Sequence, residues 1–215
     1  METIVQDFKL KYKDAALAVE EATGISHLFI LAQAALESGW GQHAPRNMFF
    51  GVKATRNSNE ADRQLLLTTE ILSSPPAVGQ FPAIISVRLR SDGRYECIVK
   101  DWFRAYPSPE ACFADHAQFF FKNKRYAKAL AVRADPYKFA VAVAQAGYAT
   151  DPAYAQKLCR LISRFANLSI ISSANWQIDS SANRFIGKSA YRQIIFIVGI
   201  AWAAGTGFSL LPIRA

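Results

Sequence analysis

The sequence is poor in the residues that usually hold metals and disulfide frameworks. Its 215 residues include three cysteines and three histidines. The cysteines are widely separated and form no C-x-x-C pair, which argues against a zinc site or a set of disulfides. The histidines form no H-E-x-x-H pattern, which argues against a metalloprotease-type metal site. We therefore expect neither a metal nor another cofactor, and we interpret the cysteines as small buried residues or reduced thiols.

Acidic residues are also scarce, above all toward the C-terminus. The formal net charge is +8 and the pI is about 9.5. From Arg160 onward the chain has six Lys or Arg residues and one acid, Asp179. Such an excess favours a polyanionic partner, which could be nucleic acid, anionic lipid or an anionic cell wall. Because no nucleic-acid-reading motif accompanies the basic residues, we do not expect nucleic acid as the partner.

The N-terminal segment 1–14 lacks the apolar core of a signal peptide. A long apolar run stands near the other end instead. Residues 194–211 are 18 uncharged, mostly apolar residues, close to the ~20 residues of a membrane-spanning helix. We predict that 191–215 is a transmembrane tail, preceded by a Ser- and Asn-rich linker over 166–190. The alternative is an additional core helix or a tail that packs on the domain.

Apolar periodicity predicts a mainly helical chain with a small β insertion, which is the α+β fold class. Residues 4–22 have helical spacing, and residues 26–37 are apolar nearly all round, as in a buried central helix. Strands are predicted at 65–72, 84–90 and 95–103, and an Asp-Gly turn joins the last two. Later helices are predicted from three starts at which a capping residue precedes proline: Ser108-Pro109, Asp135-Pro136 and Asp151-Pro152.

The most informative residue is Glu37, at the end of the apolar helix that Ser26 is expected to cap. The negative end of the helix dipole and the apolar neighbours both disfavour the carboxylate form, which raises the pKa of the carboxyl. A carboxylic acid that is still protonated near neutral pH is what a glycosidase needs to protonate a leaving oxygen. From the residues alone, a surface glutamate beside a glycine stop is also an open interpretation.

Five segments resemble the motifs of glycoside hydrolase family 73, the bacterial endo-β-N-acetylglucosaminidases, and stand in the family's order. The resemblance covers roughly residues 10–165, and it implies a lysozyme-like fold with a helical lobe, a small β lobe and a cleft between them. We therefore predict one catalytic domain over 1–165. The segments are 34–41 (AALESGWG), 47–54 (NMFFGVKA, with one extra aromatic residue), 68–70 (TTE), 103–108 (FRAYPS) and 146–158 (AGYATDPAYAQKL).

The resemblance implies cleavage of the β-1,4 bond after N-acetylglucosamine in the glycan strands of peptidoglycan. It implies that Glu37 is the general acid, and it makes Glu70 the natural second carboxylate. An inverting enzyme would place the two carboxyls ~6.5–9.5 Å apart and a retaining one ~5–5.5 Å apart. Two alternatives stay open for this step. Glu70 could be an exposed strand residue, or the substrate's own N-acetyl group could assist while Tyr148 or Tyr154 polarises it.

Further substrate contacts are expected at Tyr148, Tyr154, Trp40, Asn47 and Thr150. The tyrosines combine an apolar ring with a polar hydroxyl, which suits contact with a sugar. The alternative is that they pack helices around Gly147. Trp40 is either a cleft wall or a core residue, and Asn47 either lines the cleft or holds its loop.

Three nearby residues are expected to have other roles. Lys53 either contacts substrate or is solvated, and Phe50 is expected to pack beneath the site. Asp151 is interpreted as a structural helix cap. The long, proline-containing insertion between Glu70 and Tyr106 makes the geometry of Glu70 hard to predict.

Two other functions and two cellular settings remain open at this stage. A lytic transglycosylase would use Glu37 alone, and a wall-binding or assembly protein would have no catalysis.

The protein is expected to be membrane-associated and to act on the cell wall. However, Arg184, Lys188 and Arg192 precede the apolar run, which by the positive-inside rule keeps the catalytic domain in the cytoplasm. A phage or prophage lysis enzyme, held inside until release, would reconcile the two. A secretion route that is not visible in the sequence is the alternative.

Overall fold

The computed structural model describes residues 2–55 and 57–171. These residues form six α-helices and three strands in two compact units. The helical unit contains residues 2–50 and 106–171, and the sheet unit contains Gly51–Ala105. The helices are α1 (Glu2–Thr23), α2 (His27–Glu37), α3 (Pro109–Lys122), α4 (Ala127–Leu130), α5 (Pro136–Gln145) and α6 (Tyr154–Ile171), and the strands are β1 (Arg63–Leu72), β2 (Ala83–Leu89) and β3 (Tyr95–Arg104).

Helix α2 forms the centre of the helical unit. Every residue from Phe29 to Leu36 is buried, which confirms the prediction of a central helix that is apolar nearly all round. Helices α1, α5 and α6 pack against it. Edge-to-face aromatic pairs fill the space between the helices, as between Phe29 and Phe139, whose ring centroids lie 4.5 Å apart.

The predicted helix starts, at which a capping residue precedes a proline, are confirmed. The Ser108 hydroxyl accepts a hydrogen bond from the Ala111 amide, and Asp135 Oδ1 accepts from the amides of Tyr137 and Lys138. Asp151 Oδ1 accepts from the Ala153 amide just before α6, in agreement with its expected capping role.

The predicted side-chain cap by Ser26 is wrong. Ser26 precedes α2, but its hydroxyl makes no capping hydrogen bond. The backbone of Ser26 is held instead, since its amide donates to the Arg133 carbonyl and its carbonyl accepts from the Ile30 amide.

The sheet unit is an antiparallel sheet with the strand order β1-β3-β2. The three predicted strands and the hairpin between β2 and β3 are confirmed. Asp92 in the hairpin turn accepts a hydrogen bond from the Arg94 amide. Because side chains alternate across a strand, Thr68 and Glu70 on β1 share a face with Val99 and Cys97, their partners on β3.

The end of the described chain differs from the predicted linker. Helix α6 continues to Ile171, six residues into the stretch 166–190, because no glycine or proline interrupts residues 153–171. The rest of that stretch and the predicted membrane tail at 191–215 lie outside the described residues. Within the described ranges, no helix is both long and apolar enough to cross a membrane.

Candidate active site

Glu37 is the last residue of α2 and is partly buried. Burial raises the pKa of its carboxyl to about 7, and a hydrogen bond from Tyr154 opposes that rise. The C-terminal end of α2 also disfavours a negative charge there. The expectation of a carboxylic acid that holds its proton near neutral pH therefore agrees with the environment of Glu37.

A turn with left-handed backbone begins two residues after Glu37. The φ angles of Gly39, Trp40 and Gly41 are 56°, 63° and 80°, a backbone region that glycine adopts readily and that a tryptophan rarely adopts. Ser38 closes the turn, because its hydroxyl donates to the Ala34 carbonyl and accepts from the Gly41 amide. The glycines of this segment thus end the helix at Glu37.

Tyr154, the first residue of α6, is the hydrogen-bond donor to Glu37. Its hydroxyl oxygen lies 2.7 Å from Glu37 Oε1 and accepts a hydrogen bond from Gln33 Nε2 at 2.9 Å. Gln33 Oε1 in turn lies 2.9 Å from His116 Nε2. A chain of hydrogen bonds thus runs from α3 through α2 and α6 to the carboxyl. Gln33 and His116 are functional candidates that the sequence analysis did not identify.

Tyr148 and Tyr154 stack on each other, with ring centroids 5.5 Å apart. Gly147, with a φ of 79°, turns the chain out of α5 and places Tyr148 there. Only 6% of Tyr148 and 4% of Tyr154 is exposed, which leaves little of either ring for a sugar. Their expected contact with substrate stays a prediction, and the Tyr154 hydroxyl contacts Glu37 and Gln33.

Two of the other three predicted binding residues, Trp40 and Asn47, have structural contacts. Trp40 packs against Phe8 and Phe165, with ring centroids 5.7 and 6.0 Å away, as its core interpretation requires. Asn47 donates its side-chain amide to the Tyr106 carbonyl, as a loop-holding residue would. Thr150 is exposed beside the start of α6. Contact of these three residues with substrate stays a prediction.

Glu70 lies in the sheet unit within a cluster of charged side chains. Lys53 Nζ lies 2.7 Å from Glu70 Oε1 and 2.7 Å from Asp101 Oδ2, and it stands 4.2 Å from the centre of the Phe103 ring. Glu70 and Lys53 are thus ion-paired and half-buried, and their expected roles toward substrate stay predictions. With two carboxylates and one ammonium, the cluster keeps one formal negative charge.

Asp101 is a third carboxylate that the sequence analysis missed. The family motif at residues 103–108 begins on β3. Asp101 lies on the same strand, two residues before that motif. The signal that could have revealed it is an acidic residue in a strand next to Trp102 and Phe103.

The comparison with known proteins agrees with these observations. The profile of the Glucosaminidase family, described as mannosyl-glycoprotein endo-beta-N-acetylglucosaminidase, matches residues 13–167. The peptidoglycan hydrolase FlgJ of Salmonella typhimurium is 34% identical to this chain over 171 residues, which are 76% of this chain and 47% of that protein. The chain thus spans about half the length of the curated relatives it matches.

Solved structures show the same fold. The glycoside hydrolase domain of Salmonella typhimurium FlgJ superimposes with a TM-score of 0.59 at 32% identity, covering 79% of this chain and 92% of that one. A peptidoglycan hydrolase from Sphingomonas sp. A1 gives a TM-score of 0.53 at 28% identity, covering 82% of this chain and 99% of that one. The fold is the helix-rich lysozyme-like fold of glycoside hydrolases, and the chain belongs to the Glucosaminidase family, glycoside hydrolase family 73.

Proposed function

We propose that this protein hydrolyses the glycan strands of peptidoglycan at the β-1,4 bond after N-acetylglucosamine, with Glu37 as the general acid. The observation that carries the proposal is the Glu37 carboxyl, whose pKa is raised by burial to about 7 and which accepts a hydrogen bond from Tyr154. The FlgJ and Sphingomonas relatives are peptidoglycan hydrolases, which supports peptidoglycan as the substrate here.

The environment of Glu37 suits the first step of the reaction. The Glu37 carboxyl gives its proton to the glycosidic oxygen, the bond to the anomeric carbon breaks, and Glu37 is left as a carboxylate. The hydrogen bond from Tyr154 strengthens as negative charge develops on Glu37, because hydrogen bonds to charged acceptors are the stronger ones. An interaction that is stronger in the transition state than in the ground state raises the rate.

Glu70 is proposed as the second carboxylate, which accepts a proton from the attacking water. Its Oε1 lies 2.7 Å from Lys53 Nζ, a contact that holds the carboxylate in one position. Asp101 shares that lysine but has no step of its own in this scheme. Substrate-assisted catalysis, in which the N-acetyl oxygen takes over the role of Glu70, is the competing possibility.

We propose in addition that residues 1–165 form the catalytic domain, and that 191–215 anchors it to a membrane through the apolar run 194–211. The basic residues before that run and the uncharged stretch itself support the proposal. In this setting the protein acts on the cell wall from a membrane. A phage or prophage lysis enzyme that stays in the cytoplasm until release is the biological role that we propose for it.

Replacement of Glu37 tests the reaction directly. We expect Glu37→Gln to lower the rate of peptidoglycan digestion by at least about a hundredfold, because the amide cannot donate the acid proton. Mass spectrometry of the wild-type digest should show reducing N-acetylglucosamine ends, and circular dichroism should confirm that the variant is folded. Ends made of 1,6-anhydro-muramic acid would identify a lytic transglycosylase instead. A folded variant with full activity would show that Glu37 is not the acid.

Replacement of Glu70 separates the two schemes for the second step. If Glu70 activates water, Glu70→Gln should lower the turnover number by about a hundredfold or more. Asp101→Asn is the matched control in the same cluster, since it also removes one carboxylate from Lys53, and it should retain most of the turnover. Near-normal turnover of Glu70→Gln would remove Glu70 from the mechanism and favour assistance by the N-acetyl group.

Truncation tests the proposed anchor. A chain that ends at Ile171 keeps all of α6 and should stay in the supernatant when mixed with lipid vesicles. The full chain should sediment with the vesicles and should need detergent for extraction. Equal recovery of both chains in the supernatant would contradict the anchor.

A further inference from the structure

Two buried polar side chains lie behind Tyr154 and take no part in the reaction described so far. Gln33 stands one helical turn before Glu37 on α2, and His116 comes from α3; both are almost fully buried. We infer that Gln33 and His116 are positioning residues that fix the hydroxyl proton of Tyr154 on the side of Glu37. The inference rests on the proposed role of Glu37 as the general acid.

The chemistry of an amide gives the hydrogen-bond chain a direction. Gln33 Oε1 can only accept, so His116 must carry its proton on Nε2 to bond with it at 2.9 Å. Gln33 Nε2 can only donate, so it occupies a lone pair of the Tyr154 oxygen at 2.9 Å. The Tyr154 proton is then directed at Glu37 Oε1, 2.7 Å away. The donors on His116, Gln33 and Tyr154 therefore all point along the chain toward the carboxyl of Glu37.

His116 determines which way the amide of Gln33 faces. If the amide were reversed, Gln33 would donate to His116 Nε2, and the His116 proton would move to Nδ1. The Nδ1 atom is buried and has no hydrogen-bond partner among residues 2–55 and 57–171. A buried N–H without a partner is rarer than a buried acceptor without one, and leaving it unpaired is costly. The reversed amide would also draw the Tyr154 proton to Gln33 and leave Glu37 without that donor.

The surroundings of His116 keep its ring neutral and fixed. Burial lowers the pKa of His116 to about 3, so the ring carries one proton throughout the neutral range. The ring stacks on Phe50, with centroids 3.7 Å apart and planes within 10° of parallel. Tyr148 and Tyr154, whose pKa values respond to Glu37, are themselves kept neutral by burial. No charged state of these groups therefore competes with the tautomer that serves Gln33.

The fixed direction has two consequences for Glu37. Since Tyr154 donates to Oε1, the acid proton of Glu37 is placed on Oε2, so one oxygen delivers the proton in every turnover. The same hydrogen bond lowers the pKa of Glu37 against the larger effect of burial. If the Tyr154 proton is no longer directed at Glu37, the pKa of Glu37 should rise. A change at His116 should therefore shift the titration of Glu37 although the two residues are not in contact.

A double-mutant cycle on His116 and Gln33 tests this inference without any measurement of activity. The side-chain carboxyl of Glu37 is followed by ¹³C NMR against pH in His116→Phe, Gln33→Met, the double variant and the wild type. Phenylalanine keeps the stacking on Phe50 but cannot orient the amide. Methionine fills the place of Gln33, cannot donate to the Tyr154 oxygen, and offers only a weak acceptor. Tyr126→Phe is the matched control, since Tyr126 lies in the same aromatic cluster but outside the hydrogen-bond chain.

We expect His116→Phe to raise the titration midpoint of Glu37 by about half to one pH unit. The same change in the Gln33→Met background, and Tyr126→Phe in the wild type, should leave the midpoint within error. A shift of equal size in both backgrounds, or none in either, would overturn the inference. If Glu37→Gln proves fully active, the proposed function fails, whereas the titration of Glu37 still decides the role of the pair.

Discussion

The helical unit depends on one carboxyl, that of Glu37, which is partly buried and accepts a hydrogen bond from Tyr154. Burial raises the pKa of Glu37 and the hydroxyl of Tyr154 restrains that rise, so that the pKa is about 7. A fully solvated carboxyl would lose its proton well below neutral pH, and a buried one without a donor would release it reluctantly. The balance between these effects makes Glu37 suited to donate a proton and then to carry a charge.

The helices of the helical unit provide both the burial of Glu37 and its hydrogen bond from Tyr154. Helix α2 must be apolar on almost every side to desolvate its last residue, and eight consecutive buried residues achieve this. Helix α6 must begin where the Tyr154 hydroxyl reaches Glu37, and Asp151 fixes that start through its bond to the Ala153 amide. Helix α3 adds His116 behind Gln33. The sheet unit holds its own carboxylates, Glu70 and Asp101, through Lys53.

Local features of this protein were predictable from its sequence, whereas contacts between distant residues were not. The helix starts at Ser108 and Asp135 and the hairpin around Asp92 depend on neighbouring residues, so their patterns were sufficient. Glu37 stood out because the residues around it are apolar, and the flanking motifs gave it a role. Gln33 looked like a polar interruption of an apolar helix, because its partners are 121 and 83 residues away in the chain. Asp101 was missed for the same reason.

The pH dependence of stability tests the state of Glu37 most directly. Its pKa rises from 4.5 to about 7 on folding, so its contribution to stability is present below pH 4.5 and is lost as the pH rises through about 7. In the variant Glu37→Gln, the amide that replaces the carboxyl does not titrate. Urea unfolding at pH 4 and pH 8 should show that the wild type loses up to about 3 kcal/mol relative to Glu37→Gln between the two conditions. An unchanged difference would contradict a raised pKa and with it the proposed acid.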